Sequence, residues 1–300
     1  MTRAFLVLSL FIIASACKKT DRSVPAATFS VNYENTADLT AGKSWVFYNV
    51  LLPDTTILAP VSGAQQSWEY RDLQQTSQFT VNYEAVAATP DFSTATYSQL
   101  MVDTFGKGAV TDVSNSRYYL ENTTAGFATL GKTIEQVTLN FDTAGSNITY
   151  PTQSIIYSSK IYSAKYPMKL NDTWSGSNIV ANYNFTVNAP AYGISNMNGN
   201  QVNTMSYNNT VIGSGYMNLK GYDGSVPVLV VKQMMSTQTN YLLNGAPAPA
   251  PLLSLIGVTN GAITSSTNYS FYSPVIGYVG TLYMNSANTD VQRAVLRKTF

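Results

Sequence analysis

The feature that most constrains this chain is period-two alternation in short runs. Phe29-Ser30-Val31-Asn32-Tyr33 alternates apolar or aromatic residues with polar ones, and Phe79-Thr80-Val81-Asn82-Tyr83 repeats the pattern almost residue for residue. Successive side chains of a strand point to opposite faces, so this period marks a half-buried strand. Related runs cover residues 44–51, 67–73, 116–121, 133–141, 154–157, 179–187, 211–220, 226–236 and 265–272, separated by Gly, Asn, Asp or Pro. Short β-branched and aromatic runs with such punctuation read as antiparallel strands. The two matching runs read as two similar strands, being too short to define an internal repeat. No long stretch carries a persuasive helical period. The only plausible helix is residues 97–103, with a small apolar turn or helix at 252–256. The expected fold is all-β: antiparallel sheets in a sandwich or a strongly curved open sheet, with very little helix.

Turn chemistry refines this picture. Asp223-Gly224, preceded by Gly221-Tyr222, is the strongest hairpin signal and joins 211–220 to 226–236. Asn244-Gly245 and Asn260-Gly261 are turns of the same kind. Pro227 has no N–H for a ladder and marks a strand start or an edge. Gly213 and Gly215 interrupt an alternating run, which predicts a bulge or a close backbone approach. Their Gly-x-Gly spacing leads into no helix, so a dinucleotide site is not expected.

The N-terminus has a different character. Arg3 precedes an apolar run from Ala4 to Ile13, then Ala14-Ser15-Ala16-Cys17, then Lys18-Lys19-Thr20-Asp21. A short apolar core ending in small residues is the pattern of a cleaved leader. It is too short for a spanning helix, which needs about 20 apolar residues. Small residues before a cysteine resemble the bacterial lipobox, with Ala14 where Leu is usual. That resemblance implies cleavage after Ala16 and diacylglyceryl transfer to the Cys17 sulfur, the strongest nucleophile among the side chains. Cys17 is the only cysteine, so no disulfide forms within the chain. The expected organisation is a leader over 1–16, a lipidated tether over 17–27, and one β-rich region over 28–300 whose two halves meet near 150–167.

Composition then excludes several classes of chemistry. The chain has no histidine, which removes His-activated nucleophiles and His-rich zinc sites. Losing Arg3 from 17 basic residues leaves 16, equal to the 16 acidic ones. A balanced chain offers no basic field for nucleic acid. Charged residues are only 11%, against about 25% in ordinary soluble proteins. Polarity comes instead from Asn, Ser, Thr, Gln and 21 tyrosines, a profile suited to an exposed pleated surface. No cofactor or metal site is expected.

Three further segments carry a resemblance. Gly63-Ala64-Gln65-Gln66-Ser67-Trp68-Glu69-Tyr70 is followed by Tyr166-Pro167-Met168-Lys169-Leu170-Asn171-Asp172-Thr173-Trp174-Ser175, then by Gly213-Ser214-Gly215-Tyr216-Met217-Asn218-Leu219 leading into the 226–231 run. In this order they resemble segments of a group of exported lipoproteins of the Bacteroidetes. The resemblance spans residues 42–285, implies an origin and a fold, and carries no activity with it.

The candidate functional residues are few. Trp68 and Trp174 each open an alternating stretch, as core anchors or as ligand-stacking platforms. Glu69, Asp72, Glu84, Glu121, Glu135 and Asp172 are the acids from which a hydrolytic pair could be drawn, and spacing selects no pair among them. The expected function is a non-enzymatic binding or structural module, lipid-anchored to the outer membrane on its periplasmic or surface side. Its partners would be a glycan or an envelope protein. A two-acid carbohydrate hydrolase and a carrier of an apolar ligand are the alternatives.

Overall fold

A computed structural model describes residues 29–36, 39–52, 57–86, 90–107, 110–141 and 145–298. The leader, Cys17 and the tether lie outside the described residues. Strand makes up 67% of the structure and helix 6%, so the fold is all-β. In chain order the strands are β1 (Ser44–Val50), β2 (Gly63–Tyr70), β3 (Gln75–Glu84), β4 (Tyr97–Lys107), β5 (Val110–Thr123), β6 (Gly126–Ile134), β7 (Val137–Asn140), β8 (Asn147–Tyr150), β9 (Gln153–Ala164), β10 (Thr173–Ala189), β11 (Ile194–Leu219), β12 (Ser225–Leu243), β13 (Ala246–Pro247), β14 (Ala262–Ser273), β15 (Gly277–Met284) and β16 (Val291–Arg297). Among the described residues the one α-helix, α1 (Ala250–Leu255), follows β13.

These strands form one open sheet in the order β7-β8-β10-β11-β12-β14-β15-β16-β1-β3-β4-β5-β6-β9. β13 adds to β12 and β2 to β11. Among the described residues only the β2–β11 pairing is parallel. The order interleaves the two halves of the sequence: β1 sits between β3 and β16, and the β7–β8 hairpin joins β10. The β3–β4 seam is only two residue pairs long, Tyr83 with Gln99 and Glu84 with Ser98. Beyond this narrow seam, β4, β5, β6 and β9 form a small arm that folds back over the main sheet.

Side-chain to backbone bonds hold the arm closed. Val180 N–H donates to Ser158 Oγ at 2.8 Å. Gln153 bridges β9 to β10 in both directions, accepting from Asn184 N–H at 2.8 Å and donating to its carbonyl at 2.7 Å. Trp174 Nε1 and Asn209 Nδ2 both donate to the Tyr162 carbonyl, at 3.0 and 2.7 Å. These bonds supply partners that the end strand β9 lacks on its open edge. Between the arm and the main sheet lies the largest core cluster, which includes Ile134, Ile155, Ile161, Trp174, Ile179, Phe185, Val231 and Tyr272.

The glycine signals were physically sound. Between Val211 and Gly213 the β11–β12 register shifts. From that point β2 replaces β10 as the partner on that edge of β11. At Gly215 an added Cβ would sit 1.9 Å from the Gln66 carbonyl oxygen, so only glycine admits β2 here. Asp223-Gly224 lies in the β11–β12 hairpin connection, and Asn244 and Gly245 both take positive φ between β12 and β13. Pro227 is the third residue of β12, beyond the reach of β14, whose pairing begins at Leu229.

Three expectations need correction. Residues 97–103 are not helical but belong to β4, which pairs with β5 along its full length from Tyr97–Leu120 to Lys107–Val110. A weak local preference yields to a long neighbouring hairpin. Residues 29–33 form no extended strand: Val31 makes one bridge to Met168, and Tyr33–Thr36 is a 3-10 turn. The 133–141 run breaks after Ile134 into β6 and β7, because Glu135 is diverted by Ser114. The Ser114 Oγ accepts from Glu135 N–H and donates to its carbonyl, both at 3.1 Å.

Candidate functional site

A cavity of about 400 Å³ opens where the end of the small arm meets the main sheet. That volume lies within the range of small-ligand sites. Its aromatic walls are Tyr150 on β8, Tyr183 on β10 and Tyr241 on β12. Gln201 and Asn203 on β11, Thr239 on β12 and Thr264 on β14 contribute neutral polar groups. Asp103 on β4 and Lys132 on β6 face them from the arm, while Leu139, Ile256 and Val258 supply an apolar edge. Alternation explains the grouping: residues 201 and 203, and 239 and 241, are i, i+2 pairs on one face of their strands.

The two charges in the cavity are already paired. The Lys132 ammonium bonds the Asp103 carboxylate, with side-chain exposures of 8% and 19%. Tyr118 donates its hydroxyl to Asp103, 2.8 Å from Oδ1 and 3.1 Å from Oδ2. Lys132 Nζ lies 3.3 Å from the Tyr118 hydroxyl oxygen, and 5.5 Å from the centre of the Tyr183 ring. Burial alone would raise the Asp103 carboxyl, but the Lys132 charge and the bonds from Lys132 and Tyr118 hold it below its ordinary range. Burial, then Asp103, push Tyr118 well up. Burial raises Tyr150, Tyr183 and Tyr241, the last to about 12. The tyrosine hydroxyls are therefore neutral donor–acceptor groups at physiological pH.

A short chain of bonds orders the polar wall. Tyr150 donates to Gln201 Oε1 at 2.8 Å, and Gln201 Nε2 donates to Asn203 Oδ1 at 3.2 Å. Phe105 packs between Tyr150 and Tyr183, with ring centres 5.1 and 6.3 Å away. The result is a preordered surface of rings, amides and hydroxyls without net charge.

Hydrolysis by a carboxyl pair needs two acids about 5–10 Å apart, one of them raised so that it carries a proton. Asp103 is the only acid among the described residues that line this cavity, and it is shifted the opposite way. The acids singled out in the sequence are dispersed. Glu84 pairs with Arg117, and Glu121 with Lys160. Glu69 accepts from Asn218 at 2.6 Å, Glu135 from Asn115 at 3.0 Å, and Asp172 from Lys169 N–H at 2.7 Å. Among the described residues no group of three acids, cysteines or histidines forms a metal-binding cluster.

The two tryptophans sit in the core. Trp68 is 8% exposed and packs edge-on against Phe271 at 5.7 Å. Trp174 is 6% exposed, with its N–H satisfied by the Tyr162 carbonyl. A stacking platform needs an open ring face, and both indoles are instead used to anchor strands. Neither lines the tyrosine cavity. Sequence reasoning missed Asp103 and Lys132. The available signal was the alternation Gln99, Met101, Asp103, Phe105, which places the acid on the inner face of a strand.

No family model, curated protein or solved structure matches the chain.

Proposed function

We propose that the chain is a binding module of the bacterial cell envelope, lipid-anchored to the outer membrane through Cys17, and that its tyrosine cavity takes a neutral polyhydroxyl ligand such as a short glycan. The observation that carries the reading is the cavity's composition. Three tyrosines, two amides and three threonines (Thr104, Thr239 and Thr264) surround an ion pair that is internally neutralised. Sugars present apolar C–H faces and many hydroxyls; the rings suit the former, and the amides and hydroxyls suit the latter. The lipidated anchor rests on the leader pattern and on Cys17, and its origin among exported Bacteroidetes lipoproteins on the three resembling segments.

The test is a screen of neutral mono- and oligosaccharides against the soluble fragment from Ser23 to Phe300. Saturable binding is expected. It should weaken about tenfold in Tyr183→Ala and in Gln201→Ala, the loss of roughly one well-made contact. Binding that neither substitution changes, or no saturable glycan at all, refutes the assignment.

A further inference from the structure

We infer that a second interior cavity, on the far side of Tyr118 from the tyrosine site, binds an aliphatic monocarboxylate. Tyr118 lines this second space, while Asp103 and Lys132, which it contacts, line the first. The Tyr118–Asp103–Lys132 cluster is thus a partition between two compartments of different character. The second measures about 340 Å³. Its walls include Phe47, Phe79, Val81, Leu120, Phe127 and Val295, drawn from β1, β3, β5, β6 and β16. Phe47 and Phe79 stack with centres 6.0 Å apart. Such a surface gains most from an alkyl chain, since each buried methylene adds about fourfold in affinity.

One cation stands at the rim. Arg293 lines the same cavity and is exposed. Its Nε donates to Asn49 Oδ1 at 3.2 Å, and its guanidinium lies 5.5 Å from the centre of the Tyr283 ring. Among the described residues it makes no ion pair with a carboxylate, in contrast to Arg117, Lys132 and Lys160. A guanidinium with donors to spare beside an apolar pocket complements a carboxylate, which it can take in a two-bond fork. An amine would be repelled there, and a neutral alkyl chain would leave the charge unused. The occupant that matches both features carries one anionic head and one aliphatic tail. This inference concerns a different cavity and a different ligand class from the glycan reading and stands independently of it.

The experiment is calorimetric titration of the fragment from Ser23 to Phe300 with hexanoate, octanoate, decanoate and decanol. Affinity should rise about fourfold per methylene along the acid series, and decanol should bind at least tenfold more weakly than decanoate. Arg293→Gln, an exposed position, should bring decanoate down to the level of decanol and leave decanol unchanged. Met101→Trp, which fills the cavity from a side chain that is itself exposed, should weaken both. A flat chain-length series, decanoate binding unaffected by Arg293→Gln, or no decanoate binding overturns the inference. Tyr183→Ala should retain decanoate binding, and Arg293→Gln should retain glycan binding. Loss of either ligand therefore refutes its own site only.

Discussion

Replacing Lys132 with Met isolates the energetics of the internal ion pair. Lys132 and Asp103 are 8% and 19% exposed at their side chains, so the substitution strands a carboxylate in a poorly hydrated place. Breaking a fully buried pair costs about 3–5 kcal/mol. Asp103 retains the Tyr118 hydroxyl at 2.8 Å and some contact with water, which lowers the expected cost to about 2–3 kcal/mol at pH 7. The pH dependence follows from the direction of each shift. In the native protein Lys132 holds the Asp103 carboxyl below its ordinary value of 3.8. The pair's contribution is therefore complete above that value and fades as pH falls through the lower folded value. Without Lys132 burial dominates and the carboxyl rises above its ordinary value. The penalty is then present at neutral pH and disappears as pH falls toward the unfolded value. The stability gap between native protein and Lys132→Met should accordingly narrow from pH 7 to about pH 4. The double variant Lys132→Met with Asp103→Leu should recover most of the loss, because no stranded charge remains. Urea unfolding with a shared m-value measures all three. A gap below about 1 kcal/mol at pH 7, a gap that does not change with pH, or no recovery in the double variant would refute this reasoning.

Two other outcomes are expected. Trp174→Ala should cost about 3–5 kcal/mol in urea unfolding, from the lost core volume and the loss of one of the two bonds that the Tyr162 carbonyl accepts, while leaving the per-site affinity of the remaining folded protein for glycan unchanged; a folded variant that loses glycan binding would return Trp174 to the ligand site. Metabolic labelling with an alkyne palmitate analogue should tag the native protein and miss Cys17→Ser, and equal signal from both would refute the lipid anchor.

Most of the architecture was legible because alternation depends only on which face of a strand is wet. Residues 44–51, 179–187, 226–236 and 265–272 all fall within or along observed strands. The long polar stretch of β11 from Ile194 to Thr210 was not read as a strand. Its Asn-, Ser- and Thr-rich sequence has little apolar alternation, and its pairing is supplied by β10 and β12 on either side. β4 was misread because Leu100, Met101 and Val102 are consecutive and all exposed, which hides a period of two. The matched runs at 29–33 and 79–83 show the limit of local pattern. The second lies between β1 and β4, whereas the first has only the single bridge to Met168. The tyrosine cavity was hidden for a related reason. Its residues come from eight separate strands and the segment after α1, and only the folding of the small arm across the β3–β4 seam brings them together. Asp103 was masked by the helix expected over its own segment.

Entry of a neutral polyhydroxyl ligand into the cavity walled by Tyr150, Tyr183 and Tyr241 would change the surroundings of those three rings. Ring-labelled tyrosine NMR of the soluble fragment, with and without a saturating glycan from the screen, reads that change. The three rings should shift while Tyr48 and Tyr70, in the separate core around β1 and β2, stay in place. Shifts confined to rings outside the cavity, with Tyr150, Tyr183 and Tyr241 unmoved at saturation, would contradict ligand entry there.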